Sequence, residues 1–185
     1  MLMTISAVTR LTRAKSKNID EFAKALDDRL RALARSNALL SQPRRTGAIV
    51  REVLLQEMSA QGAVEGGNFS QHGPDMSVPS KQAQLLSMGF HELATNAVKH
   101  GAFSTNGGHI EVVWDVELTE EVRHVLRIHW RERGVAINRD SLKEGRRGFG
   151  SEILERSIPE MLQGSFNRTF HPDGVECVLE FSVEE

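Results

Sequence analysis

The sequence predicts an α+β protein: an N-terminal helical hairpin followed by a two-layer α/β sandwich. Three observations predict it. Residues 18–41 contain no glycine or proline and carry apolar side chains at steps of three and four, the period of an amphipathic helix. Residues around 110–114, 126–130 and 175–183 alternate instead, the period of a sheet with one face on a core. Residues 80–100 and 150–162 return to helical spacing between those strands, so helices cover one side of the sheet.

The elements follow in chain order. Met1, Ile5, Val8 and Leu11 give a first helix up to about residue 15. Ile19, Phe22, Leu26, Leu30, Leu33, Asn37 and Leu40 form the stripe of the second, with Asn18 or a neighbour as its cap and Pro43 where it stops. A third helix is predicted over 46–61, with Ile49, Val53, Leu54, Glu57 and Met58 along one side. Residues 62–79 are turn-rich and leave room for one short strand. The change from helical to mixed patterning divides the chain into a helical unit, 1–43, and an α/β unit, 44–185.

In the helix over 80–100, Leu86, Phe90, Leu93 and Ala97 make an apolar face. Glu92, Asn96 and Lys99 lie on another, His100 follows Asn96 by four, and Gly101 supplies the stop. Ile153, Leu154, Ile158 and Leu162 point inward from the last helix, where Pro159 predicts a kink. His171-Pro-Asp-Gly174 reads as a turn between two strands.

Composition excludes several classes of function. With 23 Lys and Arg against 25 Asp and Glu the net charge is -2, so no global field draws the chain to nucleic acid. No apolar run reaches the ~18 residues of a membrane span. The opening MLMTISAV is short and has no basic flank, so it is not read as a signal peptide, and a cytoplasmic protein is expected. A single cysteine, Cys177, rules out an intrachain disulfide framework and a cysteine-rich zinc site.

Three features carry candidate chemistry. Glu92 and Asn96 place a carboxylate and an amide one turn apart, just before a glycine-bearing loop. An amide oxygen suits a hard cation that keeps waters and phosphate as its other ligands, a carboxylate can orient an attacking group, and Lys99 or His100 can meet phosphate charge. Gly148, Phe149 and Gly150 open a helix after Arg146 and Arg147, and free amides at a helix start receive phosphate. This is neither a P-loop nor the dinucleotide fingerprint, since GxxxxGK[ST] and GxGxxG in its strand-turn-helix context are both absent. Finally, WRERG ends a strand at 130–134, where Glu132 can accept from an exocyclic amine and Gly134 lets a flat base approach the backbone. Each alone also has an ordinary reading: a solvated helix face, a common GxG turn, a charged strand end.

In combination they resemble the HWE group of bacterial sensor histidine kinases. HELATNAVKHGA, 91–102, is similar to their N box and includes the naming His91. WRE, 130–132, resembles their W-x-E, and RRGFGSEILERSI, 146–158, their second glycine box. RLRALARSNALLS, 29–41, resembles the helix after the phosphoacceptor helix, and the run from Gly73 resembles the approach to the N box. The likeness extends over nearly the whole chain.

The resemblance implies a Bergerat-type ATP-binding domain, the fold shared by histidine kinases, gyrases and Hsp90-like proteins. Asn96 would hold the Mg2+ carried by ATP, and Glu92 would assist transfer. His91, Lys99, His100, Arg147, Gly148, Phe149 and Gly150 would border the nucleotide. Glu132 would take the place of the aspartate that reads adenine, with Gly134 beside it, and residues 134–148 would form a short lid. The γ-phosphoryl group would pass to a histidine and then to a response-regulator aspartate, in a homodimer built through residues 1–41. The chain departs from the family pattern in two places. Its seven histidines begin at His72, so the acceptor histidine is expected to precede MLMTISAV. Arg133-Gly134-Val135 stands where paired glycines often follow W-x-E. A catalytically silent dimeric scaffold or phosphotransfer protein, and an anti-sigma-factor-like serine kinase, are the alternatives.

Overall fold

A computed structural model describes residues 9, 12–13, 16, 18–40, 47–119, 123–136 and 149–184. Most of the predicted first helix, the link at 41–46 and the predicted lid beyond residue 136 lie outside the described residues.

Helix α1 spans Ile19–Leu40. Asn18 caps it as the sequence suggests: its Oδ1 accepts from the Glu21 amide at 2.8 Å. The helix lies against the α/β unit, with Arg29 and Ala32 buried and Leu26 packed on the core, while Ile19 is exposed. The next residues differ from expectation. Strand β1, Gly47–Ile49, precedes helix α2, Val50–Ala60, and pairs antiparallel with β3, Ser77–Pro79. Close strand approach decides this: a Cβ on Gly47 would stand 2.2 Å from the Val78 carbonyl oxygen, and the Met76 carbonyl accepts from the Val50 amide to begin α2. The turn-rich segment thus holds two strands, β3 and β2, Phe69–His72. Neither is long enough to show a period by itself.

Helix α3 runs Ser80–His100, within the predicted bounds. Its buried Gln82 ties it to the last strand, donating to the Ser182 carbonyl and accepting from the Glu184 amide. A 3-10 turn, Ala102–Ser104, follows. Strands β4 (His109–Leu118), β5 (His124–Arg133), β6 (Ser165–His171) and β7 (Gly174–Ser182) complete a five-stranded sheet in the order β2-β4-β5-β7-β6. Only β2 and β4 pair parallel; the other three pairs are antiparallel. The predicted alternation decides which face is covered. Ile110, Val112, Trp114, Leu126, Ile128, Trp130, Cys177 and Phe181 are buried beneath the helices. The other face carries cross-strand charge pairs such as Arg127 with Glu180, 2.7 Å apart.

The last helix is broken into α4 (Phe149–Glu152), a π turn (Ile153–Ser157) and α5 (Ile158–Leu162). Pro159 explains the break, because it has no amide to donate and its ring crowds the carbonyl four residues back; a wider turn relieves both. Ile153, Leu154, Ile158 and Leu162 are buried as predicted. Burial also pushes the Cys177 thiol up to about 12, so it stays a neutral packing group.

Candidate functional site

The candidate residues gather on the second half of α3 and at the strand end beside it. Helix periodicity separates them into two sets. His91 and Glu92 are buried toward α1 and α2, whereas Asn96 is half-buried and Lys99 and His100 are exposed in the last turn.

Each member of the buried set faces a side chain of opposite character. Glu92 meets the guanidinium of Arg29 from α1 at two points, with Nε 2.8 Å from Oε1 and Nη2 donating to Oε2 at 3.1 Å. Arg29 is itself tethered, since its Nη1 donates to the Ala25 carbonyl one turn back. Next to this pair, His91 Nδ1 lies 3.4 Å from Oε2 of Glu57, a carboxylate on α2 with no exposed surface. Ser87 donates to the other Glu57 oxygen at 2.9 Å and lies 3.3 Å from the Ala32 carbonyl of α1. The histidine of the N box is therefore placed inside the core, facing α2 rather than the open end of α3.

At the strand end, Glu132 is also buried. Its Oε1 accepts from the Trp130 indole at 3.0 Å and its Oε2 from the Ala102 amide at 2.8 Å. The spacing W-x-E has a direct reason here: residues two apart on a strand share a face, so the indole and the carboxylate meet. Burial pushes the Glu132 carboxyl above its ordinary range, and the two N–H donors pull it part of the way back. Gly101 ends α3, but not through a left-handed turn, as its φ is -118°. Space is the reason: a Cβ there would stand 1.9 Å from Glu132 Oε2 and 2.8 Å from the Ala97 Cα. Gly134 needs glycine on both grounds, with φ +79° and only 3.0 Å between an added Cβ and Gly107–Gly108. Thr105 donates to the Gly134 carbonyl at 3.1 Å and closes this loop against the one after α3.

Helix α4, Phe149–Glu152, lies against α3. Phe149 and Gly150 open α4, and Arg147 and Gly148 lie outside the described residues. The structure thus brings together Asn96, Lys99, His100, the Gly101–Ala102 turn, Glu132 and Gly134. It sets His91 apart from them and places Glu92 under Arg29. Sequence reasoning gave Arg29, Ser87 and the Trp130 indole no individual role. The signal for Arg29 is its place three residues after Leu26 and one before Leu30: a charge inside an apolar stripe needs a partner.

An all-helix layer on a mixed five-stranded sheet, with these motifs at one end of the long helix, is the fold of histidine kinase catalytic domains. The histidine kinase domain from Erythrobacter litoralis EL346 blue-light activated histidine kinase superposes with a TM-score of 0.60 at 15% identity, over 97% of this chain and 94% of that one. Histidine kinase ThkA, solved in complex with the response regulator protein TrrA, superposes at 0.54 and 14% identity, over 99% of this chain and 57% of that one. Sequence narrows the class. Residues 1–75 match the model of the HWE histidine kinases. A blue-light-activated histidine kinase of Brucella anthropi is 32% identical over 149 residues, which is 80% of this chain and 29% of that protein. The chain is thus similar to the HWE histidine kinases, and spans less than a third of that curated relative's length.

Proposed function

We propose that this chain is the ATP-binding catalytic part of a two-component sensor histidine kinase. On this reading the γ-phosphoryl group of ATP goes to a histidine nitrogen and then to a response-regulator aspartate. The observation that supports it most is the contrast along α3. On its packed side Glu92 faces Arg29 and His91 lies beside Glu57, while Asn96, Lys99 and His100 have no side-chain partner among the described residues.

The donor set fits a metal that arrives on phosphate. Asn96 offers a single neutral oxygen, and the carboxylate one turn away, Glu92, already has a guanidinium. Magnesium keeps several waters and takes nucleotide oxygens as its other ligands, so one amide suffices to anchor it. When bound, Mg2+ offsets charge on the phosphoryl oxygens. Asn96 would hold it, and Lys99 and His100 would face the phosphates. Gly148, Phe149 and Gly150 would supply the loop and helix start for the phosphate end. Glu132 serves the base end by holding the Gly101–Ala102 turn, with carboxylate lone pairs to spare for an adenine amine. His91, 3.4 Å from Glu57, would support the site from the core side.

The helical segment 1–43 would belong to the dimerisation and phosphotransfer region, with a homodimer through residues 1–41 and the acceptor histidine supplied from outside residues 1–185. No helix among the described residues is long and apolar enough to cross a membrane, which accords with a cytoplasmic site of action for this part of the protein.

Calorimetry with Mg-ATP tests the reading. Wild type is expected to bind, and Asn96→Ala to bind about tenfold more weakly, a loss of about 1.4 kcal/mol, without a change in thermal stability. Equal affinity in the two proteins would remove Asn96 from the site. No binding by either would leave the silent scaffold. Joined to a segment carrying the acceptor, the chain should yield an acid-labile, base-stable phosphoprotein from labelled ATP; a serine phosphate would point to the anti-sigma-factor-like alternative.

A further inference from the structure

We propose that Arg29 is a positioning and charge-balancing residue of the nucleotide site, acting through Glu92, so that tolerance of a third phosphate depends on α1 being docked. The inference rests on the nucleotide reading above and adds to it a residue from outside the α/β unit.

Four observations carry it. Glu92 and Asn96 sit one turn apart on the same helix, a spacing that puts their Cβ atoms about 6 Å from each other. A bare carboxylate there would oppose the phosphate charge that Lys99 and His100 face. Arg29 cancels it at two points, 2.8 and 3.1 Å, in a setting where both side chains are at least nine-tenths buried. The guanidinium is prevented from swinging away by its bond to the Ala25 carbonyl, so its charge is delivered in one place. Lastly, the partners are 63 residues apart and belong to different units of the chain, so the neutralisation lasts only while α1 lies on α3. Ser87 beside the Ala32 carbonyl, and donating to Glu57, shows that this docking face is specifically polar there rather than a generic apolar contact.

Like-charge opposition weakens a ligand in proportion to the ligand's own charge. Loss of the Arg29 charge should therefore weaken ATP more than ADP, and ADP more than AMP. A purely structural role for Arg29 would lower all three affinities together.

The test is the ratio of ATP to ADP affinity, measured by calorimetry with Mg2+ on the full 185-residue chain. Arg29→Met should lower that ratio about tenfold. Adding Glu92→Gln to the same chain should restore it, because the opposing charge is then gone. An unchanged ratio in Arg29→Met overturns the proposal. If circular dichroism shows that Arg29→Met does not fold, Glu92→Gln alone decides. It keeps an acceptor for Arg29 but removes the negative charge, and should raise the ratio several-fold by the same argument; no rise overturns the proposal. Failure of wild type to bind either nucleotide would instead overturn the functional reading, whereas binding of both with ratios equal in all variants overturns this inference alone.

Discussion

Glu92 and Glu132 are both buried carboxylates, each 4% exposed, one on α3 and the other at the strand end that meets the turn after it. They are held by different physics. Glu92 has a full positive charge for a partner, delivered from α1 across 63 residues of chain. Glu132 has two neutral N–H donors, one of them two residues away on its own strand. The difference separates two tasks. A buried ion pair that joins distant segments fixes where α1 lies, since neither charge tolerates loss of the other. A carboxylate satisfied by nearby neutral donors fixes the shape of a turn and depends on little beyond the α/β unit.

The contrast is broken most sharply by Glu92→Ala. It takes the buried carboxylate partner from the Arg29 guanidinium, and removal of one partner from such a pair is expected to lower stability by about 3–5 kcal/mol. Urea denaturation would measure it. Adding Arg29→Met to Glu92→Ala should recover a large part of the loss, because no charge is then left unpaired. A small effect from Glu92→Ala alone would mean that Arg29 escapes to water and that α1 is not held by this pair.

Gly101→Ala tests the opposite side. The added methyl has no conformational penalty to explain its effect, as φ is -118° there. It meets instead the Glu132 carboxylate and the Ala97 backbone, and only the carboxylate can move. Moving it breaks its bonds to Ala102 and Trp130, so a loss of about 2–3 kcal/mol is expected. The same substitution should leave the Arg29–Glu92 coupling energy in a double-mutant cycle unchanged, if the two carboxylates serve independent tasks.

Much of this arrangement was legible in the sequence, and the parts that were not share a physical cause. Long elements announce themselves by period: α3 keeps its bounds, and the alternations through Trp114, Trp130 and Cys177 identify the buried face of the sheet. Short strands do not. At three residues, β1 and β3 owe their existence to each other and to the space beside Gly47. Motif spacing points to the second half of α3, yet does not say which side chains face outward there. His91 and Glu92 are adjacent to the open end in sequence and buried in space, because their positions on the helix turn them toward α1 and α2. Tertiary pairing of charges is invisible to periodicity, which is why Arg29 and Glu57 were legible only as polar residues within apolar faces.

The smallest expected effect sharpens the comparison furthest, because it is a matter of pH. Glu132→Gln keeps the shape of the side chain but offers one acceptor oxygen where two N–H donors point, so one donor faces an NH2 group. A loss of about 1–2 kcal/mol is expected at neutral pH. The folded protein raises the carboxyl above its ordinary value of 4.5, chiefly through burial. A raised acid binds its proton more readily when folded than unfolded, so its stabilising contribution is complete below the ordinary value and is lost as pH rises through the folded one. Glutamine has no such proton. The stability gap between wild type and Glu132→Gln should therefore widen as pH falls from about 8 to about 5. A Glu132 gap that stays flat, or narrows in acid, would mean that the two N–H donors outweigh burial, and that Glu132 is stabilised in its charged form.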